Sequence, residues 1–387
     1  MDKRQIRIFF TIFFTVYGAI NYYIFIRGYQ GLEAVAGIRP IYTVLFIFVA
    51  ASYIVCRIIE RRTINAFTVI LFWIGSFWFA FILYFLLSIL LLDILRLINN
   101  IAHITAFDPT TYPQIKLWVA LSVIGVASAA ILAGFFNAKR LKVKTFTLDI
   151  DKYNAEEPQL NIVMASDIHL GTIVAKKRAL NIVKTINALK PDIILLPGDI
   201  VDSEIAPVIR LDLGAVLREL SAKYGVYAVT GNHEYIGGIN EAVAYIREHR
   251  IDLLRDETRE VAGITLIGRE DYTIKNYRKS LPEILASADR SKATILMDHQ
   301  PFHLEQAEEA GIDLQVSGHT HRGQMWPLNY ITRRVYEIDW GYLLKGKTHI
   351  YVSSGAGTWG PPVKLGNDAE IVQFILRFRG SEAPAAS

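Results

Sequence analysis

Residues 314–321 read LQVSGHTH, a short apolar run that ends in a glycine and two histidines. A continuous apolar run of about four to eight residues is typical of a β-strand that is buried on both faces. The stretch continues to residue 327 as RGQMWP, so an arginine and a tryptophan follow the histidines closely. In an extended strand, residues i and i+2 point to the same face, and we therefore expect His319 and His321 to face one ion, and likewise Asp167 and His169 earlier in the chain.

The same arrangement precedes this stretch four times. Strands are predicted at 161–166, 192–196, 225–229 and 293–297, and the segments that follow them read DIH at 167–169, GDIVD at 198–202, GNHE at 231–234 and DH at 298–299. The carboxyl ends of strands in open α/β sheets form the edge where ligands bind. Each motif alone is weak, but five in one order predict a metal centre at this edge. Glycines 198, 231 and 318 allow the backbone to approach it closely.

The region around these motifs has the pattern of an α/β domain. Further apolar runs predict strands at 264–268, 349–353 and 370–378, and amphipathic stretches predict helices at 176–189, 209–223 and 240–250. Strands that alternate with helices indicate parallel pairing, and the closely spaced later strands add antiparallel pairs. We assign residues 141–379 to this domain and expect residues 380–387 to be a disordered tail.

Residues 1–140 have a different composition, with four long apolar stretches. They lie at about 8–26, 41–58, 67–92 and 117–136, and a membrane-spanning helix needs about 20 such residues. These lengths predict a transmembrane region of four helices in contact with the lipid bilayer. The middle of each stretch is uncharged, which argues against a proton relay or an ion path.

Basic residues flank these stretches unevenly. The positive-inside rule favours a cytoplasmic location for both ends of the transmembrane region and for the domain that follows it. An outward-facing domain remains the alternative. The basic residues on the predicted inner side are Lys3, Arg4, Arg7, Arg57, Arg61, Arg62, Lys139, Arg140, Lys142 and Lys144, and those on the outer side are Arg27, Arg39, Arg96 and Lys116.

Composition excludes several classes of function. A net charge of only +4 over 387 residues argues against a nucleic-acid partner. The single cysteine, Cys56, allows neither an intrachain disulfide nor a thiolate metal cluster. The candidate metal ligands offer carboxylate, imidazole and amide atoms without sulfur, which suits manganese, iron or zinc.

As an ordered set, these motifs resemble the calcineurin-like metallophosphoesterases over about residues 160–375, and the membrane region resembles bacterial membrane-bound members. The resemblance implies a four-layer α-β-β-α sandwich with two divalent metal ions, most often manganese, in a bacterial inner membrane protein. Carried over position by position, one ion would be held by Asp167, His169, Asp199 and His321, and the other by Asp199, Asn232, His299 and His319.

The resemblance also implies the chemistry. Two divalent ions activate a hydroxide for attack on a phosphorus ester or anhydride and stabilise the charge that develops. His233 would stand beside the second ion and protonate the leaving group, and Arg322 either contacts a substrate phosphate or lies on the surface. Asp202 and Glu234 would orient other residues or only brace loops.

Three tryptophans follow the metal motifs in loops rich in glycine and proline: Trp326, Trp340 and Trp359. With Lys345, Lys347 and Lys364 nearby, they predict either a rim for a lipid substrate or membrane surface, or residues packed beneath the site. The leading hypothesis is hydrolysis of a lipid phosphodiester or pyrophosphate, since some relatives cleave UDP-diacylglucosamine. The alternatives are a soluble substrate such as a cyclic nucleotide, and a non-enzymatic signalling or transport protein with a structural metal domain.

Overall fold

The computed structural model describes residues 3–60, 62–105, 108–286 and 288–379, with the side chains of residues 3, 5, 6 and 9 excepted. Arg61 and the predicted tail at 380–387 lie outside the described residues. The chain divides into a helical unit, Met1–Ala133, and a second unit, Gly134–Ser387.

The helical unit is built from four long helices, but the prediction of four membrane spans is wrong in its number. Three stretches of the described chain are long and apolar enough to cross a membrane: Glu33–Glu60, Ala66–Ala102 and Tyr112–Ala138. The stretch predicted at 8–26 does form a helix, within Lys3–Gly31, but this helix is not among those three. The helices are α1 (Lys3–Gly31), α2 (Arg39–Glu60), α3 (Ala66–Ala102) and α4 (Tyr112–Ala138), which ends in the second unit.

Polar residues of α1 form hydrogen bonds with other helices of the helical unit. The Nε1 of Trp78 donates to Asn21 Oδ1 at 2.9 Å, and the hydroxyl of Tyr17 donates to the Ala50 carbonyl at 2.7 Å. Because a buried amide without a partner is costly in an apolar environment, these bonds fix α1 against its neighbours.

The second unit contains two six-stranded mixed sheets. In the first the order is β1-β12-β2-β3-β4-β5, and in the second it is β10-β11-β9-β8-β7-β6. Strands β2 to β5 run parallel to one another, as do β7, β8, β9 and β11. The strands are β1 (Leu141–Ile150), β2 (Gln159–Met164), β3 (Ile193–Pro197), β4 (Val226–Val229), β5 (Asp252–Leu253), β6 (Glu257–Val261), β7 (Ile264–Gly268), β8 (Ala293–Met297), β9 (Leu314–Ser317), β10 (Gly341–Lys345), β11 (Thr348–Val352) and β12 (Ala369–Phe378).

The two sheets pack face to face, which confirms the predicted sandwich. One apolar core takes side chains from both, including Ile162 and Leu195 of the first sheet and Ile295 and Val316 of the second. Helices cover the outer faces and bury the alternate strand residues. They are α5 (Lys176–Ala188), α6 (Ile205–Arg210), α7 (Gly214–Leu217), α8 (Asn232–Gly237), α9 (Ile239–Glu248), α10 (Leu281–Leu285), α11 (Glu305–Glu309) and α12 (Asn329–Val335).

The sequence-based elements are confirmed within two residues at most positions, with one clear error. The helix predicted at 209–223 is replaced by the short helices α6 and α7. Asp212 between them has a left-handed φ of 47°, which ends the first helix. Gly214 opens the second directly against His249, where an added Cβ would meet the ring at 2.3 Å.

Candidate metal centre

Five loops that follow β2, β3, β4, β8 and β9 carry the predicted ligands to the same edge of the sandwich. Asp167, His169, Asp199, His319 and His321 all have a left-handed φ between 46° and 71°. They therefore lie in turns beyond the strands, where alternation along a strand does not apply. Asp167 and His169 nevertheless share a group of ligand atoms, but the expectation that His319 and His321 face one ion is wrong. The structure instead divides His319 and His321 between two groups of ligand atoms.

The first group brings together Asp167, His169 and His321, whose ligand atoms all lie within 4.8 Å of one another. The Nε2 atoms of the two histidines are 3.0 Å apart, and neither Nδ1 has a partner among the described residues. The fully buried Asp167 Oδ2 is likewise unpartnered there. A desolvated carboxylate and two imidazole nitrogens that converge in this way fit a divalent cation.

The second group brings together Asp199, His299 and His319, with Asn232 between the histidines. Asn232 Oδ1 lies 3.2 Å from His299 Nε2 and 2.8 Å from His319 Nδ1. The Nδ1 of His299 donates to the Pro197 carbonyl at 2.9 Å, so its Nε2 is directed at the site. A carbonyl partner at one ring nitrogen is the usual way in which a protein orients a metal-binding histidine.

Asp199 links the two groups. Its Oδ2 lies 3.7 Å from His169 Nε2 in the first group and 3.3 Å from His299 Nε2 in the second. This position fits the bridging carboxylate that the family resemblance implies. The donor atoms therefore fit two cations, and bound divalent ions would supply Lewis acidity for phosphoester hydrolysis.

Glycines make this convergence possible. An added Cβ would lie 2.4 Å from the His299 ring at Gly198, 2.2 Å from Asp199 Oδ1 at Gly231 and 2.2 Å from Asp167 Oδ2 at Gly318. No side chain fits at those distances, so the predicted close approach of the backbone is confirmed at all three positions.

Burial dominates the electrostatics of the site. It raises the pKa of Asp167 to about 6, and it lowers the pKa of His169 to about 3. Burial also opposes ionisation of Asp199, but the charges of His299 and His233 outweigh it and hold its pKa well below the usual range. A neutral imidazole and an ionised bridging carboxylate are the forms that bind a metal ion.

His233 stands beside these groups with one nitrogen engaged. Its Nδ1 donates to Asp202 Oδ1 at 3.1 Å and lies 2.8 Å from Ser203 Oγ, which leaves Nε2 for a substrate. The resemblance placed His233 beside the second ion, whereas its ring centroid lies 4.5 Å from that of His169 in the first group. Burial opposes its protonation, but Asp199 and Asp202 outweigh that effect and raise its pKa to about 9. His233 can therefore hold a proton at Nε2 and deliver it to a leaving oxygen.

Glu234 is fully buried and braces the loops. Its carboxylate accepts hydrogen bonds from the backbone amides of Asp199 at 3.1 Å, Val201 at 3.0 Å and Gly231 at 2.7 Å. This geometry ties the loop after β3 to the loop after β4. Asp202 has a different role, because it accepts a hydrogen bond from His233, which is itself grouped with His169 and Asp199.

Sequence reasoning missed two residues behind the first group. Asn367 donates from Nδ2 to the carbonyl of His321, and Lys364 donates from Nζ to the carbonyls of Gly355 at 2.7 Å and Asp368 at 3.2 Å. An added Cβ on Gly355 would lie 2.9 Å from that of Asp167, so this loop touches the metal group. The sequence analysis places Lys364 near a rim for a lipid substrate or membrane surface, whereas the structure buries it completely.

The tryptophans differ from one another. Trp326 and Trp359 are each 50% exposed, and the ring of Trp359 lies 6.3 Å from that of His233. Trp340 is half-buried, and its Nε1 donates to the buried carboxylate of Glu370 at 3.2 Å. The guanidinium of Arg322 stacks over Trp340 at 4.2 Å. Of the three predicted rim residues, Trp359 is thus exposed beside His233, Trp326 is exposed, and Trp340 is half-buried against Arg322 and Glu370.

Comparison with known proteins identifies the domain. Residues 160–323 match the family described as calcineurin-like phosphoesterase. An uncharacterized metallophosphoesterase of Helicobacter pylori is 35% identical over 63% of this chain and 66% of its own length. One from Aquifex aeolicus is 34% identical over 65% of this chain and 99% of its own length. A bovine transmembrane protein with metallophosphoesterase domain is 33% identical over 68% of this chain and 63% of its own length.

The Aquifex relative is matched over nearly its whole length, and the family match over residues 160–323 includes every one of the grouped ligands. These comparisons therefore argue against the alternative of a structural metal domain without activity. The chain belongs to the calcineurin-like phosphoesterase family and is a metal-dependent phosphoester hydrolase with apolar N-terminal helices that fit a membrane.

Proposed function

We propose that this protein is a multi-pass protein of the bacterial inner membrane whose cytoplasmic domain hydrolyses a phosphodiester or pyrophosphate bond of a lipid or lipid-linked substrate. Asp167, His169, Asp199, Asn232, His299, His319 and His321 would hold two divalent ions, and manganese suits their nitrogen and oxygen donors best. The cytoplasmic placement is supported by the basic residues around the apolar helices.

The observation that carries the lipid substrate is a set of exposed apolar side chains in the segments that follow the last metal motif. Trp326 and Trp359 are half exposed, and α12, which begins two residues after the cis Trp326–Pro327 bond, exposes Tyr330 at 61% and Ile331 at 60%. We call these four residues the apolar rim. Contiguous apolar side chains on a soluble surface mark a site of interaction with a lipid or a protein.

The segment that carries Tyr330 and Ile331 of the rim continues to the metal centre. The ring of Tyr336, which follows α12, lies 6.2 Å from that of the proposed ligand His319. Two arginines, Arg333 and Arg334, lie in the last turn of α12 beside the rim. Apolar and basic side chains next to a metal centre suit an amphiphile with an anionic head group.

Phosphorus NMR on the purified full chain in detergent with manganese tests this proposal. The substrates are a bacterial lipid extract and UDP-diacylglucosamine, and Asp199→Asn is measured beside the wild type. A phosphate signal that changes only with Asp199 intact would support a lipid phosphohydrolase and identify the bond that is broken. Cleavage of a generic soluble diester without any change in a lipid signal would refute the lipid substrate.

The rim is tested separately by the variant Trp326→Ala/Trp359→Ala. We expect its rate on the lipid substrate to fall about tenfold relative to its rate on the soluble diester, since two exposed apolar contacts are lost. Tyr153→Ala is the matched control, because Tyr153 is exposed and precedes β2, at the opposite end of that strand from the metal loops. An unchanged ratio in the tryptophan variant would favour a soluble substrate such as a cyclic nucleotide.

A further inference from the structure

The helical unit contains a cavity that is separate from the metal centre. It has a volume of about 600 Å³, and every residue that lines it lies between Ile24 and Ile124. The described groups of metal-ligating side chains all lie in the second unit, so this cavity contributes none of the hydrolytic residues.

One part of the cavity wall is cationic. The charged side chains that line it are Arg27, Arg96, Lys116 and Asp93. Asp93 accepts a hydrogen bond from Arg27, and its other oxygen lies 3.0 Å from Nη1 of Arg96. One carboxylate therefore serves two guanidinium groups, and each of these has donors to spare.

Lys116, the third cation of the wall, does not remove this excess of positive charge. Nζ of Lys116 pairs with Glu33 at 2.6 Å, and Glu33 does not line the cavity. Even when Glu33 is counted, three cations face two carboxylates. Charges within an apolar helical unit are costly unless they are paired, so the wall lacks one negative charge.

The rest of the wall is apolar and shaped by glycines. Aromatic and aliphatic side chains such as Phe46, Phe85 and Val123 line it. Gly28 and Gly31 allow the helices of the wall to approach closely, since an added Cβ would meet the Tyr42 hydroxyl at 2.2 Å and the Ala120 Cβ at 2.9 Å. A cavity that joins a cationic end to a long apolar wall is complementary to an amphiphile with a single negative charge.

We propose that this cavity binds a membrane phospholipid, with its phosphodiester between Arg96 and Lys116 and an acyl chain along the apolar wall. A phosphodiester supplies the one missing charge and accepts bidentate hydrogen bonds from a guanidinium. The apolar wall lies on helices that include all three candidate membrane spans, where lipid is at hand. This lipid is bound and not cleaved, and the site is independent of the substrate proposed for the metal centre.

Native mass spectrometry of the full chain in neutral detergent tests the proposal. The probes are phosphatidylglycerol, a fatty acid and inorganic phosphate, each titrated into delipidated protein. We expect phosphatidylglycerol to bind at one site per chain with at least about tenfold higher affinity than either other probe. Equal binding of the fatty acid would show that the phosphate is not recognised, and binding of inorganic phosphate alone would show an ion site only; either result overturns the proposal.

Variants locate the site. Arg96→Gln and Lys116→Gln should each weaken phosphatidylglycerol binding about tenfold, the equivalent of one charge-assisted hydrogen bond. Arg96→Lys keeps the charge but loses the bidentate geometry, so it should weaken binding less than Arg96→Gln does. Lys142→Gln is the control, because Lys142 is an exposed lysine of β1 with a partner in Asp368.

A second variant keeps the test decisive where a charge variant fails to fold. Val123→Trp fills the apolar wall without altering any charge, and it should abolish binding in protein that still elutes as a single species. Undiminished binding in Val123→Trp, or equal losses in Arg96→Gln and Lys142→Gln, would place the lipid elsewhere.

Discussion

His169 and His321 direct their Nε2 atoms at each other at 3.0 Å, although 152 residues separate them in the chain. Two neutral imidazole nitrogens that each offer a lone pair repel one another unless a proton or a cation lies between them. Burial lowers the pKa of both rings, so both are neutral, and each leaves its Nε2 lone pair free when it carries its one proton at Nδ1. In that tautomer the two Nε2 atoms fit a cation between them, and we expect the group to lose affinity for a metal ion if either ring is removed.

We expect His321→Ala to lose about one metal ion per chain and to reduce phosphoesterase activity by more than about 100-fold, because the first group keeps only Asp167 and His169. Inductively coupled plasma mass spectrometry on the purified protein measures the metal content. His303→Ala is the matched control, since His303 is 49% exposed and pairs with Glu305 away from both groups. Full metal content in His321→Ala would contradict its proposed role as a ligand.

Asp202→Asn should change the pH dependence of the reaction. Asp199 and Asp202 raise the pKa of His233 to about 9 against the effect of burial. A general acid acts while it is protonated, so kcat/KM should fall as the pH rises through that value. Removing the Asp202 charge lowers the pKa of His233, and the alkaline limb should move to lower pH by about one unit.

The measurement is kcat/KM against pH for an alkyl phosphodiester, whose poor leaving group needs a proton. With a p-nitrophenyl ester, whose leaving group departs without protonation, we expect the alkaline limb to be weak in both proteins. An alkaline limb that stays in place in Asp202→Asn would mean that His233 is not the proton donor.

Much of the fold was predictable because buried parallel strands leave continuous apolar runs. β7, β8 and β9 were predicted with the bounds that the structure shows. β1 was missed because its residues, LKVKTFTLDI, alternate in burial at the edge of the first sheet, where only β12 pairs with it. An alternating pattern of this kind predicts a strand less clearly than a continuous apolar run does.

The residues of the candidate site were predictable from the sequence, but their backbone conformation was not. The ligands could be named because polar side chains follow five strands, yet nothing in the sequence indicates that five non-glycine residues there adopt a left-handed backbone. Lys364 was misread for a related reason. A lysine in a loop is normally exposed, and only the carbonyls of Ser354, Gly355 and Asp368, which lie near in space, explain its burial.

Gly318→Ala tests the close approach of backbone to ligand. Its Cβ would lie 2.2 Å from Asp167 Oδ2, so either the loop or the carboxylate must move. We expect a loss of about 1–3 kcal/mol in stability and a reduced metal content. Gly125→Ala is the control, because nothing lies within 4 Å of an added Cβ there. Equal melting temperatures and metal contents in the two variants would show that the loop tolerates the methyl group.

Lys364→Met tests the buried amine through the pH dependence of stability. Burial lowers the pKa of Lys364 from its ordinary value of 10.5 to about 7. Between these two values the unfolded chain binds more protons than the folded one, so this group makes the free energy of unfolding rise with pH, by at most about 1.4 kcal/mol per pH unit. Below pH 7 the amine is protonated in both states, and its burial is then most costly.

In Lys364→Met, the free energy of unfolding should lack this rise with pH. The variant should also lose the hydrogen bonds to the carbonyls behind the metal centre. The wild type is therefore expected to become more stable than Lys364→Met by a margin that widens from pH 7 to pH 10. Thermal unfolding followed by tryptophan fluorescence at each pH measures the margin, and Lys347→Met, which removes an exposed lysine, controls for the loss of one charge. A margin that stays constant would show that Lys364 is protonated in the folded protein throughout this range, held by its three carbonyl partners.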